Sequence, residues 1–309
     1  MRTSLMVSNF AGPEPLRDLL ARLARTADTG GIDSLFVADH LIQVEPGTDA
    51  TDPMLEAVAT LGYLAARTER VRVGTLVASA TLRPPAVLIK AVTTLDVLSG
   101  GRAWLGIGAG YHQAEADAMG VPFPGVVERF EMLEDTLRLA RRLWEGDEAA
   151  FVGHRLQATR PIGSPRPVSR PHPPILIGGT GERRTLRLVA RYGDACNLPD
   201  VPDGGELIRR KLDVLADHCA VEDRPFDAIE KTVSTRLEPG DTVDAFVERA
   251  AALAELGMDH LIVLTRGAWT ADRLAVVVSA VPAITELTPR HPIQVAAARG
   301  SHDDPHPEH

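Results

Sequence analysis

The chain has 309 residues, 44% of them hydrophobic and 24% charged, with a formal net charge of −9. That profile describes a globular chain able to bury a large core, and its acidity argues against nucleic acid or an anionic membrane face as the partner. Two cysteines, Cys196 and Cys219, without metal-like spacing, and no long apolar run, suit reduced thiols in a cytoplasm.

Ser4–Ser8 reads as a short apolar strand, broken by Asn9-Phe10-Ala11-Gly12-Pro13. Pro15–Thr29 places Leu16, Leu19, Leu20, Leu23 and Ala27 at helical spacing, and Gly30-Gly31 ends that helix. Ser34–Ala38 is a second strand, running into Asp39-His40. Helix Pro53–Thr68, strand Val71–Val77 and helix Pro84–Leu98 repeat the pattern, then strand Ala103–Ile107 and helix Arg129–Trp144. Phe151–His172 is rich in proline and has no period. Alternation resumes with strand Ile175–Ile177 and helix Glu182–Tyr192, then Asp194–Leu198 with Gly205–Cys219. Glu230–Arg236 with Thr242–Leu256 and His260–Thr265 with Ala271–Leu287 close the series.

Eight strands alternating with eight helices predict an α/β fold with a parallel sheet. The count favours a single (β/α)8 TIM barrel over an open doubly wound sheet, though periodicity leaves both open. The barrel domain spans residues 1–287, residues 145–173 form an insertion between strands four and five that would lid or wall the site, and 288–309 is a disordered tail. Nothing fixes the geometry of the tail histidines, and no metal site is predicted.

In such a barrel the active residues sit where strands run into the following loops. Gly100–His112 is the most informative of these transitions: Gly106, Gly108 and Gly110 remove side chains at a strand end, and Tyr111 and His112 follow, each able to donate a hydrogen bond or move a proton. Ile177, Gly178, Gly179, Thr180 and Gly181 before a helix form either a phosphate cradle or an ordinary strand-to-helix turn. Asp39-His40 is placed for proton transfer or for a helix cap and a surface histidine. The strand ends hold no paired carboxylates, nucleophile elbow or phosphate-binding lysine loop, and such a site suits a bound cofactor that supplies the reactivity.

At these residues the sequence resembles the luciferase-like flavin and deazaflavin oxidoreductases, and within them the actinobacterial branch that uses coenzyme F420. The matching stretches are Val37–His40, Arg83–Lys90, Thr94–Arg102, Leu105–His112, Arg129–Glu131, Leu143–Gly146, Pro173–Gly179 and Gly181–Asn197. The resemblance implies a cofactor ring lying in the barrel mouth beside Gly108, Ala109 and Gly110, against the end of strand three, often through a non-proline cis peptide that falls near Leu76-Val77. It implies that Gly178, Gly179 and Thr180 approach the cofactor phosphate. Asp39 and His40 would border the ring, and Arg83 would contact the cofactor tail. His40, Tyr111 and His112 are the candidate catalytic residues.

The chain also departs from the branch. Its sugar-phosphate dehydrogenases carry a carboxylate where this chain has Tyr111, and an aromatic where it has Val44. The reaction implied is hydride transfer between F420 and a small organic substrate. An FMN-dependent monooxygenase and a noncatalytic flavin-binding protein are the alternatives. A homodimer is the expected assembly.

Overall fold

The computed structural model describes residues 1–290; from residue 291 onward, the expected tail and its histidines lie outside the described residues. The strands are β1 (Arg2–Val7), β2 (Ser34–Val37), β3 (Arg72–Thr75), β4 (Ala103–Gly108), β5 (Ile175–Gly178), β6 (Ala195–Pro199), β7 (Glu230–Leu237) and β8 (His260–Thr265). All pair in parallel in chain order, β8 returns to β1, and β3 meets β4 through Val73–Ala103 and Gly74–Trp104. The sheet therefore closes into a (β/α)8 barrel, and the open sheet is excluded. The helices are α1 (Leu16–Thr29), α2 (Ala57–Ala65), α3 (Pro85–Ser99), α4 (Val126–Glu145), α5 (Thr185–Tyr192), α6 (Glu206–Val221), α7 (Val243–Glu255) and α8 (Ala271–Thr285).

Alternation along each strand sorts its side chains into two layers. Leu5, Val7, Leu35, Val37, Val73, Leu105, Ile107, Ile175 and Ile177 belong to the large core shared with the helices. Phe36, Trp104, Leu176, Ala195 and Ile262 form a separate cluster that fills the barrel interior, joined by Leu76. Trp104 is accommodated by its neighbour: a Cβ on Gly74 would lie 2.6 Å from that of Trp104. Below it the barrel floor is polar. Arg72 lies 4.4 Å over the Trp104 ring, and the buried His260 joins Glu230 at 2.6 Å and Ser4 at 2.6 Å.

Three local features bear on the site, the first as the resemblance implied and the other two departures from the sequence reading. After β3 the chain passes through a cis peptide at Leu76-Val77, and Ala78–Ser79 then pairs with Ile107–Gly108. A short helix, Gln113–Met119, follows β4, where no helix was read. Helices α2 and α5 start later than their sequence patterns, α2 behind a Glu56 side chain that accepts from the Ala59 N–H at 2.7 Å.

The 145–173 insertion packs against the outside of the barrel. It leaves the C-terminus of α4, and in this fold helix-to-strand connections open on the face opposite the site. It then climbs the outside of α3 and α4. Two fully buried carboxylates pin it there. Asp96 on α3 accepts from the Val168 N–H (2.7 Å), the Ser169 N–H (3.0 Å) and the Ser169 hydroxyl. Asp135 on α4 accepts from the N–H groups of His154, Arg155 and Leu156 at 2.9, 2.7 and 3.1 Å.

Candidate active site

A cavity of about 530 Å³ opens at the C-terminal ends of the strands, within the range of small-molecule sites. Its wall comes from the loops after β1, β2, β3, β4 and β5 and from the inward side chains of β6, β7 and β8, among them Asn197, Ser234, Arg236 and Leu264. No residue of the 145–173 insertion lines it.

One side of the cavity is bared of side chains. A Cβ on Gly178 would stand 2.9 Å from Val77 Cγ1, and one on Gly108 would stand 3.0 Å from Val77 Cγ2. Val77 therefore lies between two strand ends where a side chain would crowd it, and the three form a bare surface, the bed of the cavity. Gly110 has φ +77°, and a Cβ there would meet the Ser79 hydroxyl at 2.3 Å. Beside the bed, Gly179 (φ +122°) and Thr185 turn the chain into α5, whose first turn has no side-chain cap. The Leu186 N–H in that turn donates to the Gly181 carbonyl at 3.0 Å, and the positive dipole end of the helix suits an anion.

The opposite side carries a connected polar group. Glu115, on the short helix after β4, is 3% exposed. Its Oε2 lies 2.9 Å from His40 Nδ1, and its Oε1 accepts from the Leu41 N–H. A carboxylate offers only acceptors, so His40 carries its proton on Nδ1, and Nε2 faces the Tyr111 hydroxyl at 3.3 Å. His112 is the N-cap of the short helix, its Nδ1 accepting the Glu115 N–H at 3.1 Å. The rings of His40 and Tyr111 meet edge to face at 5.7 Å. Tyr111 is 71% exposed as a residue, yet burial at its hydroxyl end, and then the Glu115 charge, raise its pKa above the ordinary tyrosine value. It is a phenol at neutral pH, a hydrogen-bond donor and not a phenolate base.

Of the residues singled out in the sequence, His40, Tyr111, His112, Asp39, Leu76, Val77, Gly108, Ala109, Gly110, Gly178 and Gly179 all line the cavity. Arg83, Ile177 and Thr180 do not. Arg83 grips Asp39 through two bonds of 2.7 and 2.8 Å and also pairs with Glu56. Burial opposes its charge, but the two carboxylates outweigh it and hold the guanidinium firmly protonated. Asp39 is thus closed by Arg83 and braces the wall. Ile177 is on the outer face of β5, fully buried against the helices. Glu115 was missed, although its three-residue spacing from His112 resembles a capping box. Both cysteines are free and buried, and burial pushes the Cys196 thiol up to about 12, so neither offers a nucleophile here.

The family model for luciferase-like monooxygenases matches residues 1–277. An uncharacterized protein of Mycobacterium tuberculosis is 31% identical over 256 residues, covering 78% of this chain and 85% of that protein. An F420-dependent glucose-6-phosphate dehydrogenase of Nakamurella multipartita is 33% identical over 219 residues, covering 66% of this chain and 61% of that protein. Among solved structures, an F420-dependent secondary alcohol dehydrogenase in complex with an F420-acetone adduct superposes with a TM-score of 0.78. It is 16% identical and covers 92% of this chain and 99% of that one, a likeness of fold alone.

Proposed function

The chain belongs to the luciferase-like monooxygenase family, and from that premise we propose that it is an F420-dependent oxidoreductase acting on a small carbonyl compound or the corresponding alcohol. The observation that carries the reading is the cavity's division into a bare bed and a proton-bearing pair facing the same space. A flat ring fits against Val77, Gly108 and Gly178, where a side chain at either glycine would crowd Val77. Gly179, Thr185 and the uncapped start of α5 fit a phosphate at one end. Bound there, the deazaflavin supplies a hydride, or takes one up, and reacts poorly with oxygen.

The chain's own residues do the remaining work. Val77, Gly108 and Gly178 would hold the ring; Gly179 and Thr185 would hold the phosphate end. In the reductive direction the Tyr111 O–H donates to the substrate oxygen, which gains negative charge as the hydride arrives. The proton that completes the alcohol comes from the Nε2–H of the His40 imidazolium, and in the oxidative direction the same Nε2 takes it back from the substrate's hydroxyl. Positioned proton transfer of this kind is worth about 10²–10⁴-fold in rate. The apolar wall of Met6, Val44, Leu82, Phe123, Phe130 and Leu264 excludes water and favours an apolar substrate body.

Arg236 adds a preference. Among the described residues no hydrogen bond or ion pair engages its guanidinium, and it lines the cavity on β7, so it suits a carboxylate or a second carbonyl on the substrate. A sugar phosphate suits the site less well, since Tyr111 stands where the sugar-phosphate dehydrogenases of the branch carry a carboxylate. The test is turnover with reduced F420 and with reduced FMN over ketones and enones, each with and without a carboxylate. The reading predicts F420-linked turnover, favouring the acids. Turnover with reduced FMN and oxygen alone would point to a monooxygenase.

A further inference from the structure

We propose that Glu115 is the positioning residue of this site: its carboxylate fixes His40 in the tautomer that presents a bare Nε2 to Tyr111 and the substrate space. The proposal rests, in its catalytic half, on the proton-transfer roles given above to His40 and Tyr111.

The geometry is specific. Glu115 spends both oxygens on consecutive residues of the loop after β2, Oε2 on the His40 ring and Oε1 on the Leu41 N–H. One buried carboxylate from the β4 connection therefore sets both the backbone and the imidazole of the β2 connection. Glu115 is 3% exposed, and a buried carboxylate needs partners for its oxygens, which the His40 ring and the Leu41 N–H supply. The short helix that carries Glu115 starts at His112, whose Nδ1 takes the Glu115 N–H and so helps hold Glu115 in place.

A neutral imidazole has one donor nitrogen and one acceptor. Without Glu115 the Nε2–H tautomer is available, and in it Nε2 donates toward Tyr111 and takes no proton. The carboxylate removes that choice, and it also favours the imidazolium formed when Nε2 accepts a proton. The charged or titratable groups around His40 are Tyr111, His112 and Glu115 from the β4 connection, and its chain neighbour Asp39, already closed by Arg83.

The test compares Glu115→Gln and Glu115→Ala with the unaltered protein in two independent measurements. The first is nitrogen NMR of histidine-labelled protein without cofactor, with the His40 signals identified from a His40→Gln variant. The unaltered protein should show Nδ1 protonated and Nε2 bare near neutral pH. Glu115→Gln should keep that tautomer through its amide oxygen, and Glu115→Ala should lose it. The second is steady-state turnover with reduced F420. Glu115→Ala should lower kcat on the order of 10²-fold with KM little changed, and Glu115→Gln should recover part of it. A wild-type tautomer in Glu115→Ala, or a kcat that falls only with the folded fraction, would overturn the proposal. If F420 supports no turnover at all, the functional reading fails, while the tautomer result still decides the role of Glu115 by itself.

Discussion

Two irregular connections leave the fourth βα unit, and they use the same device to opposite ends. Residues 109–125 follow β4 and supply Ala109, Gly110, Tyr111, His112, Glu115, Ala116 and Phe123 to the cavity. Residues 146–174 follow α4 and supply none. Each is ordered by a buried carboxylate that collects hydrogen-bond donors. In the first, the connection itself owns the carboxylate, Glu115, and aims it at His40. In the second, the barrel owns the carboxylates, Asp96 and Asp135, and the connection brings only N–H and hydroxyl groups. Proline and glycine content does not separate the two. What separates them is whether the chain has just left a strand or a helix.

The sharpest way to break this contrast is to remove one side chain from each side of it. His40→Ala should lower kcat per folded molecule by about 10²–10⁴-fold, far more than the stability it costs by removing one partner of the buried Glu115 accounts for. Asp96→Ala should do the reverse. It strands three buried donors, so it should cost about 3 kcal/mol in unfolding free energy with kcat per folded molecule unchanged. A large kcat loss in Asp96→Ala would restore the insertion to the site.

The barrel floor extends the test to the face farthest from the cavity. Burial opposes charge on Glu230, but the His260 hydrogen bond and charge, with Arg2 and Arg72, hold its carboxyl below the ordinary value of 4.5. A depressed folded value means that the stabilisation is complete above that pH and is lost as pH falls through the folded value. Glu230→Gln should therefore cost about 2 kcal/mol at pH 7, flatten the acid loss of stability seen by circular dichroism, and spare kcat. Gly110→Ala should cost about 1 kcal/mol for its left-handed backbone alone, and, because its Cβ would push on Ser79 at the cavity wall, it should also weaken cofactor binding by fluorescence titration. The smallest effect is expected at Ile162, an exposed residue of the insertion: Ile162→Ser should stay within about 0.5 kcal/mol in stability and leave turnover unchanged.

Much of this was legible in the sequence where the signal is local. Strand, helix and glycine turn repeat along the chain, so the barrel, the bare strand ends at Gly108 and Gly178, and the His40–Tyr111 side of the cavity could all be read from pattern and position. Non-local pairing was not legible. Arg83 looked like a free basic residue near the cofactor because Asp39, 44 residues away, had not been placed beside it. Glu115 sat in a stretch read as loop, 75 residues from its partner His40. One error had a signal that was available. Ile177 immediately precedes an inward-facing glycine, so strand alternation turns it outward.

The central claim is that the bare bed and the uncapped start of α5 are built for a deazaflavin. The most direct measurement is equilibrium titration of the purified, cofactor-free chain with F420 and, separately, with FMN, followed by ligand fluorescence. The account predicts saturable one-to-one binding of F420 that excess FMN does not displace. Tight, saturable FMN binding with no F420 binding would contradict it.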